Sequence, residues 1–226
     1  MGAIEAGLNL DARVEAARAA IRLAVHDAFP GRIALVSSFG AESAALLRLV
    51  ADVEPNLPVI FLETGKHFAQ TISYRKKIAA MFGLTNVIDA RPDSNELAAQ
   101  DPNGDLWRRD ADACCALRKV RPLNEALDSF DAWITGRKQF QGGLRAGLPA
   151  FEASNGKVKV NPLTAWTPED IAAFGVRAEL PPHPLVAQGF ASIGCWPCTK
   201  PIEQGEDQRA GRWRGADKTE CGIHTI

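Results

Sequence analysis

The sequence is poor in cysteine, has no excess of charge of either sign and contains no long apolar run. Its 26 Lys and Arg residues face 27 Asp and Glu residues, which gives a formal net charge of -1. A general nucleic-acid or membrane-surface binder would show a basic excess, so the composition argues against both classes. Any anion that the protein binds must therefore be met by a local cluster of cations.

The N-terminal residues 1–25 mix acidic and apolar side chains and have no uninterrupted apolar core. They fit neither a secretory signal nor a membrane-spanning helix, so we expect a cytoplasmic protein. In that compartment five cysteines, a small and odd number, favour metal ligation or catalysis over a disulfide framework. The 226 residues show no internal repeat and fit one globular domain, with or without an appendage.

Short apolar runs alternate with helical patterns along the chain. The predicted strands are residues 32–38, 58–62, 85–90 and 132–136. The predicted helices are residues 11–28 with Asp11 as N-cap, residues 41–53, residues 68–83 closed by Gly83, and a short helix capped by Thr167. Apolar strands separated by helices are typical of an α/β fold, a parallel sheet covered on both faces. Turns are predicted between 137 and 166, and loops from residue 181 onward.

Two strand-to-helix loops carry polar groups where an open parallel sheet binds ligands, at the carboxyl ends of its strands. The loop SSFGAES (37–43) offers hydroxyl groups, a glycine and a helix N-terminus to a phosphate, through Ser37, Ser38 and Gly40. It is not a P-loop, because the Gly-x4-Gly-Lys-Ser/Thr spacing is absent. The loop LETGKHF (62–68) follows the next strand. Each loop alone is more often only a turn, but together they predict a nucleotide site.

Four cysteines form two close pairs. Cys114 and Cys115 are adjacent and cannot easily form a disulfide with each other. Cys195 and Cys198 form a C-x2-C half-site of the kind that binds zinc or an iron-sulfur centre. The four thiolates could hold either, and spacing alone does not separate the two, although a vicinal pair is unusual for structural zinc. Four unligated or redox-active thiols are the alternative.

The fifth cysteine, Cys221, is the sixth residue from the end of the sequence, on a segment with few apolar residues to bury it. A thiol on such a segment favours reactivity, because structural cysteines usually lie in the core. Cations near a thiol favour the thiolate and bind anions, and the neighbours of this kind are Arg209, Arg212, Arg214 and His224. The alternative is a solvated basic tail with an incidental cysteine.

The motifs SSFGAES, LETG, CCALRKVRPL, GCWPCTKP, RAGRWRG and KTECGIH appear in this order. Together they resemble the bacterial, cluster-containing adenylylsulfate reductases, a branch of the adenylylsulfate/phosphoadenylylsulfate reductase family. The most specific element is the pairing of CC and CxxC with a terminal ECGIH. The resemblance implies a nucleotide sheet of the ATP-pyrophosphatase (adenine nucleotide alpha hydrolase-like) type. We expect residues 1–204 to form the nucleotide-binding and iron-sulfur domain and residues 205–226 to form a tail with the catalytic cysteine.

The resemblance also implies roles for individual residues. The ligands of a four-iron, four-sulfur cluster would be Cys114, Cys115, Cys195 and Cys198. The phosphosulfate group would be bound by Lys119, Arg209, Arg212 and His224, and the nucleotide phosphate by Ser37, Ser38 and Gly40. The adenosine would be bound by Glu63, Thr64 and Gly65, and Arg137 matches the arginine loop of the family. Cys221 would be the nucleophile.

In the reaction that the resemblance implies, the Cys221 thiolate attacks the sulfate sulfur of adenylylsulfate and AMP leaves. A thiosulfonate then remains on the protein until a dithiol of thioredoxin or glutaredoxin type releases sulfite. No thioredoxin-like segment follows Ile226 in the sequence, so the reductant is expected to be a separate protein. No nucleic-acid or membrane partner is expected, and the sequence leaves a homo-oligomer open.

Three alternatives remain at this stage. A phosphoadenylylsulfate reductase would use the same thiol chemistry, but relatives of that kind usually lack the four extra cysteines. A tRNA sulfur transferase should show an SGGxDS loop and a basic excess, which are both missing. A metal-binding interaction module would leave the tail unexplained. The chain also departs from common family patterns at Ser43 and Glu63, where many relatives have Asp, and at Lys138, whose role stays open.

Overall fold

The computed structural model describes residues 2–142, 145–216 and 218–224, with side chains from residue 9 onward. Within these ranges six strands form one sheet. The strands are β1 (Ile33–Val36), β2 (Val59–Leu62), β3 (Val87–Ala90), β4 (Ala132–Ile134), β5 (Phe151–Ser154) and β6 (Lys157–Val160). Their order across the sheet is β3-β2-β1-β4-β6-β5. Only the edge pair β5 and β6 is antiparallel, so the predicted parallel sheet carries one antiparallel edge strand.

Eight α-helices surround the sheet in the described ranges. They are α1 (Gly2–Arg22), α2 (Ser43–Val53), α3 (Ala69–Phe82), α4 (Ser94–Gln100), α5 (Leu106–Arg109), α6 (Ala111–Cys115), α7 (Arg121–Leu127) and α8 (Pro168–Arg177). Wider π-helical turns extend α1 over Leu23–Ala28 and join α6 to α7 over Ala116–Val120. In the part of the chain that the structure describes, no helix has the length and apolar character needed to cross a membrane.

Both faces of the sheet are covered, as predicted for an α/β fold. Alternate side chains of a strand point to opposite faces. Leu35 and Phe61 therefore pack with α1, α2, α3 and α8 in the main core, whereas Ile60 and Trp133 pack with α7 on the other face. The order of the strands places β2 and β3 on one side of β1, with β4 and β6 on the other. The crevice between the carboxyl ends of β1 and β4 is thus a topological switch point, where ligands bind in open α/β sheets.

Most of the predicted elements are confirmed within a few residues. The helix predicted for residues 68–83 ends as expected, with Gly83 in the left-handed conformation at φ +65°. The helix capped by Thr167 is also confirmed. The Thr167 hydroxyl accepts a hydrogen bond from the Asp170 amide at 3.2 Å, and the Asp170 carboxylate accepts one from the Thr167 amide at 2.8 Å.

The structure corrects two expectations and shows helices in a segment for which no elements were predicted. Asp11 is not an N-cap, because α1 begins at Gly2 and the Asp11 carboxylate instead pairs with Arg177 of α8. The turn-rich segment contains the hairpin of β5 and β6, whose turn residues Asn155 and Gly156 have φ values of +47° and +77°. Residues 91–131 hold α4 to α7, and the carboxylates of Asp93 and Asp110 cap α4 and α6.

Candidate functional site

A large pocket opens at the carboxyl ends of β1 and β4. Its volume is about 220 Å³, and it is lined by the loops after both strands and by the tail. Many of the predicted site residues line it. They are Ser37, Ser38, Gly40, Lys119, Arg137, Arg209, Arg212, Cys221 and His224. Residues that are far apart in sequence thus share one concave surface, and the role of each in binding or catalysis stays a prediction.

The first loop is built tightly around Gly40. The Ser37 hydroxyl accepts a hydrogen bond from the Phe39 amide at 3.2 Å, and the Gly40 amide donates to the Ser43 hydroxyl at 2.9 Å. A Cβ atom on Gly40 would lie 3.1 Å from the backbone oxygen of Ile193, so glycine allows the two segments to approach. Phe39 has the unusual φ of +47°, and its buried ring packs edge-on against Phe61 at 5.7 Å.

Glu42 joins three segments at the rim of the pocket. Its carboxylate accepts hydrogen bonds from Lys138 Nζ at 2.9 Å, Gln208 Nε2 at 3.3 Å and Gln141 Nε2 at 3.4 Å. These donors come from the loop after β4 and from the C-terminal segment. The contact with Glu42 holds the Lys138 amine at the rim of the pocket.

The pocket is strongly cationic although the chain as a whole is nearly neutral. Among the described residues, its lining includes Lys119, Arg137, Lys138, Arg145, Arg209 and Arg212. The acidic side chains that line it are Glu42 and Glu220. Because the chain as a whole is nearly neutral, binding of an anion is expected to need a local cluster of cations. This pocket contains such a cluster.

The tail lies against the pocket rather than extending into solvent. Cys221 is partly exposed and lines the pocket. Trp213 is 6% exposed, and its amide donates to the Cys198 carbonyl at 3.0 Å. The Lys200 amide donates to the Gly211 carbonyl at 2.9 Å. These bonds connect the segment that leads to Cys221 with the C-x2-C segment.

The last described residues are anchored on the sheet. The His224 ring stacks on Trp133 with centroids 5.7 Å apart and planes 4° apart, and Ile223 packs beside it in the apolar cluster. Lys159, which is fully buried, donates from Nζ to the His224 carbonyl at 2.7 Å. Burial lowers the pKa of His224 well below its ordinary value, and Arg145 and Arg137 lower it further. At neutral pH His224 therefore offers a hydrogen bond rather than a positive charge.

The four paired cysteines meet at a second, small cavity. Cys114, Cys115, Cys195 and Cys198 all line it, and none of them is in a disulfide in the structure, which describes all four. Among the described residues, no three Cys, His or carboxylate side chains are arranged to hold one metal ion. Burial raises the pKa of Cys114 to about 11 and that of Cys115 to about 11, while Arg118 and Lys119 respectively oppose the shift.

Arg118 and Lys119 lie on the wide π-helical turn after Cys115, and both line the cysteine cavity. Arg118 Nη1 donates to the Thr64 carbonyl at 2.7 Å, and its Nη2 donates to Asp101 Oδ2 at 2.6 Å. Both side chains of this ion pair are at least nine-tenths buried. The hydrogen bond to Thr64 therefore links the loop after β2 to the segment that follows Cys115.

Lys119 lines both the large pocket and the cysteine cavity. Burial lowers the pKa of Lys119, but electrostatic interaction with Cys195 and Cys221 outweighs burial and raises the pKa overall. Lys119 thus stays protonated at neutral pH. It is placed to act electrostatically on both sites.

Glu63, Thr64 and Gly65, which the structure describes in full, do not line the large pocket. Thr64 Oγ1 instead lies 3.3 Å from Cys195 Sγ, and the Gly65 amide donates to Glu63 Oε1 at 2.9 Å. Their predicted contact with adenosine stays a prediction, and the side-chain hydrogen bonds of Glu63 and Thr64 are within the loop and at the cysteine cavity.

Sequence reasoning missed Arg145 and Glu220. Arg145 Nε and Nη2 each donate to the Glu220 carboxylate at 3.0 Å, and the pair forms part of the pocket wall. Glu220 directly precedes Cys221, and this adjacency could have identified it as a candidate site residue from the sequence. Arg145 stands in a turn-rich segment that offers no local pattern.

The chain is similar to relatives over most of its length. It is 51% identical over 220 residues to an adenosine 5'-phosphosulfate reductase from Chelativorans sp. (strain BNC1), a match that covers 96% of this chain and 90% of the relative. It is 41% identical over 201 residues to a phosphoadenosine 5'-phosphosulfate reductase from Gloeobacter violaceus, a match that covers 87% of this chain and 83% of the relative.

Solved structures share the fold. The phosphate complex of phosphoadenylyl-sulfate (PAPS) reductase from Candida auris matches with a TM-score of 0.68 and 27% identity, over 81% of this chain and 90% of that chain. An FMN adenylyltransferase from Candida glabrata, in complex with FMN and an ATP analogue, matches with a TM-score of 0.62 and 13% identity, over 88% of this chain and 70% of that chain. At that identity the second match shows the fold alone, and the predicted α/β fold is confirmed.

The sequence profile of the phosphoadenosine phosphosulfate reductase domain matches residues 32–201. This range spans all six strands, the first loop, both cysteine pairs and Lys119. The match covers well over half of the chain and agrees with the resemblance carried by the motifs. The chain therefore belongs to the phosphoadenosine phosphosulfate reductase domain family.

Proposed function

We propose that the protein reduces adenylylsulfate to sulfite and AMP, with a dithiol protein of the thioredoxin or glutaredoxin type as electron donor. The observation that carries the proposal is that Cys221 lines the same pocket as six Lys and Arg side chains, at the carboxyl ends of β1 and β4. A thiol nucleophile and a cluster of cations are what the transfer of a sulfonate group from an anionic nucleotide requires.

In the first step, the Cys221 sulfur attacks the sulfur of the sulfate group. The bond from that sulfur to the bridging oxygen of the phosphate breaks, and its electron pair leaves with AMP. Cys221 then carries a thiosulfonate. Lys119, Arg209 and Arg212 reduce the repulsion between a thiolate and an anionic substrate, and they stabilise the negative charge that develops on the departing phosphate.

In the second step, one thiolate of the donor attacks the Cys221 sulfur and sulfite leaves. The second donor thiol resolves the mixed disulfide and restores Cys221. The dithiol thus supplies two electrons and becomes a disulfide, while the sulfate sulfur is reduced to the oxidation state of sulfite. The partial exposure of Cys221 supports this step, because a partner protein must reach its sulfur.

For the nucleotide, we assign Ser37, Ser38 and Gly40 to the phosphate of adenylylsulfate. The amides and hydroxyls of this loop precede the N-terminus of α2, which is a favourable place for an anion. Arg137 stands across the pocket from this loop, where its guanidinium is held by the Glu152 carboxylate and lies 3.3 Å from the Thr135 hydroxyl. Its place in the wall supports a binding role.

We assign a four-iron, four-sulfur cluster to Cys114, Cys115, Cys195 and Cys198. The donor set fits, because four thiols without disulfide partners line one cavity with Arg118 and Lys119 beside them. When bound, the cluster would supply a negatively charged iron-sulfur group next to Lys119. Lys119 itself stays protonated and contributes to the large pocket, and Arg118 holds the loop after β2 in place.

On this proposal, residues 205–226 act as a tail that carries the nucleophile to a domain formed by residues 1–204. The hydrogen bonds of Trp213 and the stacking of His224 on Trp133 support this arrangement of the tail against the domain. We expect the protein to work in the cytoplasm, where dithiol donors are kept reduced.

The test is to supply the purified protein with thioredoxin and either adenylylsulfate or phosphoadenylylsulfate, and to measure sulfite. We expect a much higher kcat/KM with adenylylsulfate. A preference for phosphoadenylylsulfate would support the second candidate, which the name of the Gloeobacter violaceus relative favours. No sulfite from either nucleotide would contradict the proposal as a whole.

A further inference from the structure

The residue before the nucleophile brings a carboxylate into the cationic pocket. Glu220 accepts a hydrogen bond from Arg145 Nε at 3.0 Å and another from Arg145 Nη2 at 3.0 Å. The side chains of Arg145 and Glu220 are 10% and 23% exposed. A bidentate pair of this kind, largely shielded from water, is stronger and geometrically more restrictive than a single exposed ion pair.

A second arginine contacts the same part of the tail. Arg209 Nη2 donates to the Thr219 carbonyl at 2.7 Å and lies 3.3 Å from the Glu220 carboxylate. Two arginines from different parts of the chain thus hold two successive residues immediately before Cys221. On the other side of Cys221, His224 is fixed by Lys159 and Trp133. Cys221 therefore lies between two anchored points.

We propose that Glu220 is a positioning residue, which holds the tail through Arg145 and Arg209 so that the Cys221 sulfur faces the pocket. The proposal extends the proposed function by naming what places the nucleophile. Because Glu220 is also an anion among the cations that an anionic substrate would use, it positions the thiol without adding to nucleotide affinity. Its loss should therefore lower kcat and leave KM unchanged or reduced.

The first test measures the alkylation of Cys221 by iodoacetamide in the full chain without nucleotide, followed by peptide mapping. The reagent is neutral, so the charge of the pocket does not steer it. We expect Glu220→Gln and Arg145→Gln each to speed alkylation by about fivefold, the factor expected when a well-formed ion pair is lost. Glu203→Gln, which changes an exposed acid upstream in the same C-terminal region, should leave the rate unchanged.

The two variants separate positioning from a simple effect of charge. If the pair acted only through its charges, loss of the Glu220 anion would favour the thiolate and speed alkylation, whereas loss of the Arg145 cation would slow it. Opposite changes, or no change in either variant, would overturn the proposal. If Arg145→Gln does not fold, Arg145→Lys keeps the charge without the bidentate geometry and should also alkylate faster.

The second test is kinetic. With adenylylsulfate and thioredoxin, Glu220→Gln should lower kcat by about tenfold to a hundredfold, the range expected when a reacting group is misplaced. KM should not rise. A raised KM at unchanged kcat would overturn the positioning role. Alkylation needs no substrate, so failure of this proposal can be told apart from failure of the proposed reaction.

Discussion

The Sγ atom of Cys195 lies 3.3 Å from the Oγ1 atom of Thr64, a contact that joins the C-x2-C segment to the loop after β2. Thr64 is 1% exposed, so its hydroxyl has little access to water. Hydroxyl groups that contact metal-ligating thiolates hold the ligand in place and commonly affect metal affinity. On the proposed cluster assignment, this contact predicts a role for Thr64 that differs from the adenosine contact expected from the sequence.

Replacement of Thr64 should distinguish the two roles. Thr64→Val removes the hydroxyl at nearly constant volume, and we expect the protein to lose iron to a chelator about tenfold faster. Thr64→Ser keeps the hydroxyl and serves as the matched control, with iron loss close to that of the unchanged protein. The measurement is the absorbance of the iron-chelator complex over time. Unchanged iron loss together with a raised KM for the nucleotide would instead support adenosine binding.

Lys119 should matter for catalysis more than for the integrity of the cysteine site. We expect Lys119→Ala to lower kcat/KM by about a hundredfold, because a protonated amine next to the developing charge is lost. Its iron content should be retained, since no thiol is changed. Lys66→Ala is the matched control. Of the large pocket and the cysteine cavity, Lys66 lines only the cysteine cavity. Its amine donates a hydrogen bond to the Gly104 carbonyl at 2.7 Å.

Equal losses of activity in Lys119→Ala and Lys66→Ala would mean that the position of Lys119 between the two cavities does not explain its loss of activity. Loss of iron in Lys119→Ala would indicate a structural role instead. Sulfite release and iron content measured on the same preparation decide between these outcomes.

Mixing the protein with adenylylsulfate in the absence of a dithiol should add one sulfonate group to Cys221 and release one AMP. Peptide mass spectrometry locates the added group. Cys221→Ser should form no adduct, because a hydroxyl ionises far less than a thiol at neutral pH. The serine variant should keep its iron and bind the nucleotide. An adduct on any of the other four cysteines, or sulfite release by the serine variant at a comparable rate, would exclude Cys221 as the nucleophile.

His183 should make stability depend on pH below neutrality. Its Nδ1 accepts a hydrogen bond from the Leu185 amide at 3.1 Å, and its Nε2 lies 3.1 Å from the Thr71 hydroxyl. Burial lowers the pKa of His183 to about 4. The unfolded chain, with a histidine pKa of about 6.5, then binds more protons than the folded one between these values. The stabilisation is present above pH 6.5 and is lost as the pH falls toward 4.

The measurement is urea unfolding at pH 7 and pH 5 for the unchanged protein, His183→Gln and His26→Gln. We expect the unchanged protein to lose about 1 to 2 kcal/mol more than His183→Gln over this interval, since each pH unit corresponds to about 1.4 kcal/mol. His26 is exposed and its replacement is the control, which should behave like the unchanged protein. Parallel losses in all three would mean that His183 is not the group responsible.

The central strands and several helices could be predicted from the sequence because the apolar residues that mark them locally are also the residues that the fold buries. Residues such as Ile33 and Phe61 lie in short apolar runs that the sheet buries completely. The hairpin of β5 and β6 was missed because its residues alternate polar and apolar and include the charged Lys159, which tertiary contacts bury. A signal was present in Asn155-Gly156, a dipeptide that favours the turn of a two-residue hairpin.

The site was predicted unevenly for a related reason. Cys221, Lys119 and the cysteine pairs stand in short motifs, so the local sequence is enough to identify them as candidates. Arg145 and Glu220 are 75 positions apart and acquire meaning only when the fold brings them together. Likewise, the loop motif of Thr64 indicates a ligand site, but only the packing shows that its hydroxyl faces Cys195. Local patterns identify which groups can react, and long-range contacts determine what they face.

The cationic pocket has a consequence for how fast a ligand arrives. The whole chain has a net charge of -1, so the surface outside a pocket with six Lys and Arg side chains and two acids must be net negative. Such a molecule has a pronounced charge asymmetry. A small anion approaching within about 8 Å at physiological salt would be drawn toward the pocket and repelled elsewhere. Diffusional encounter with anionic substrates should therefore be orientation-selective and should slow as salt is added.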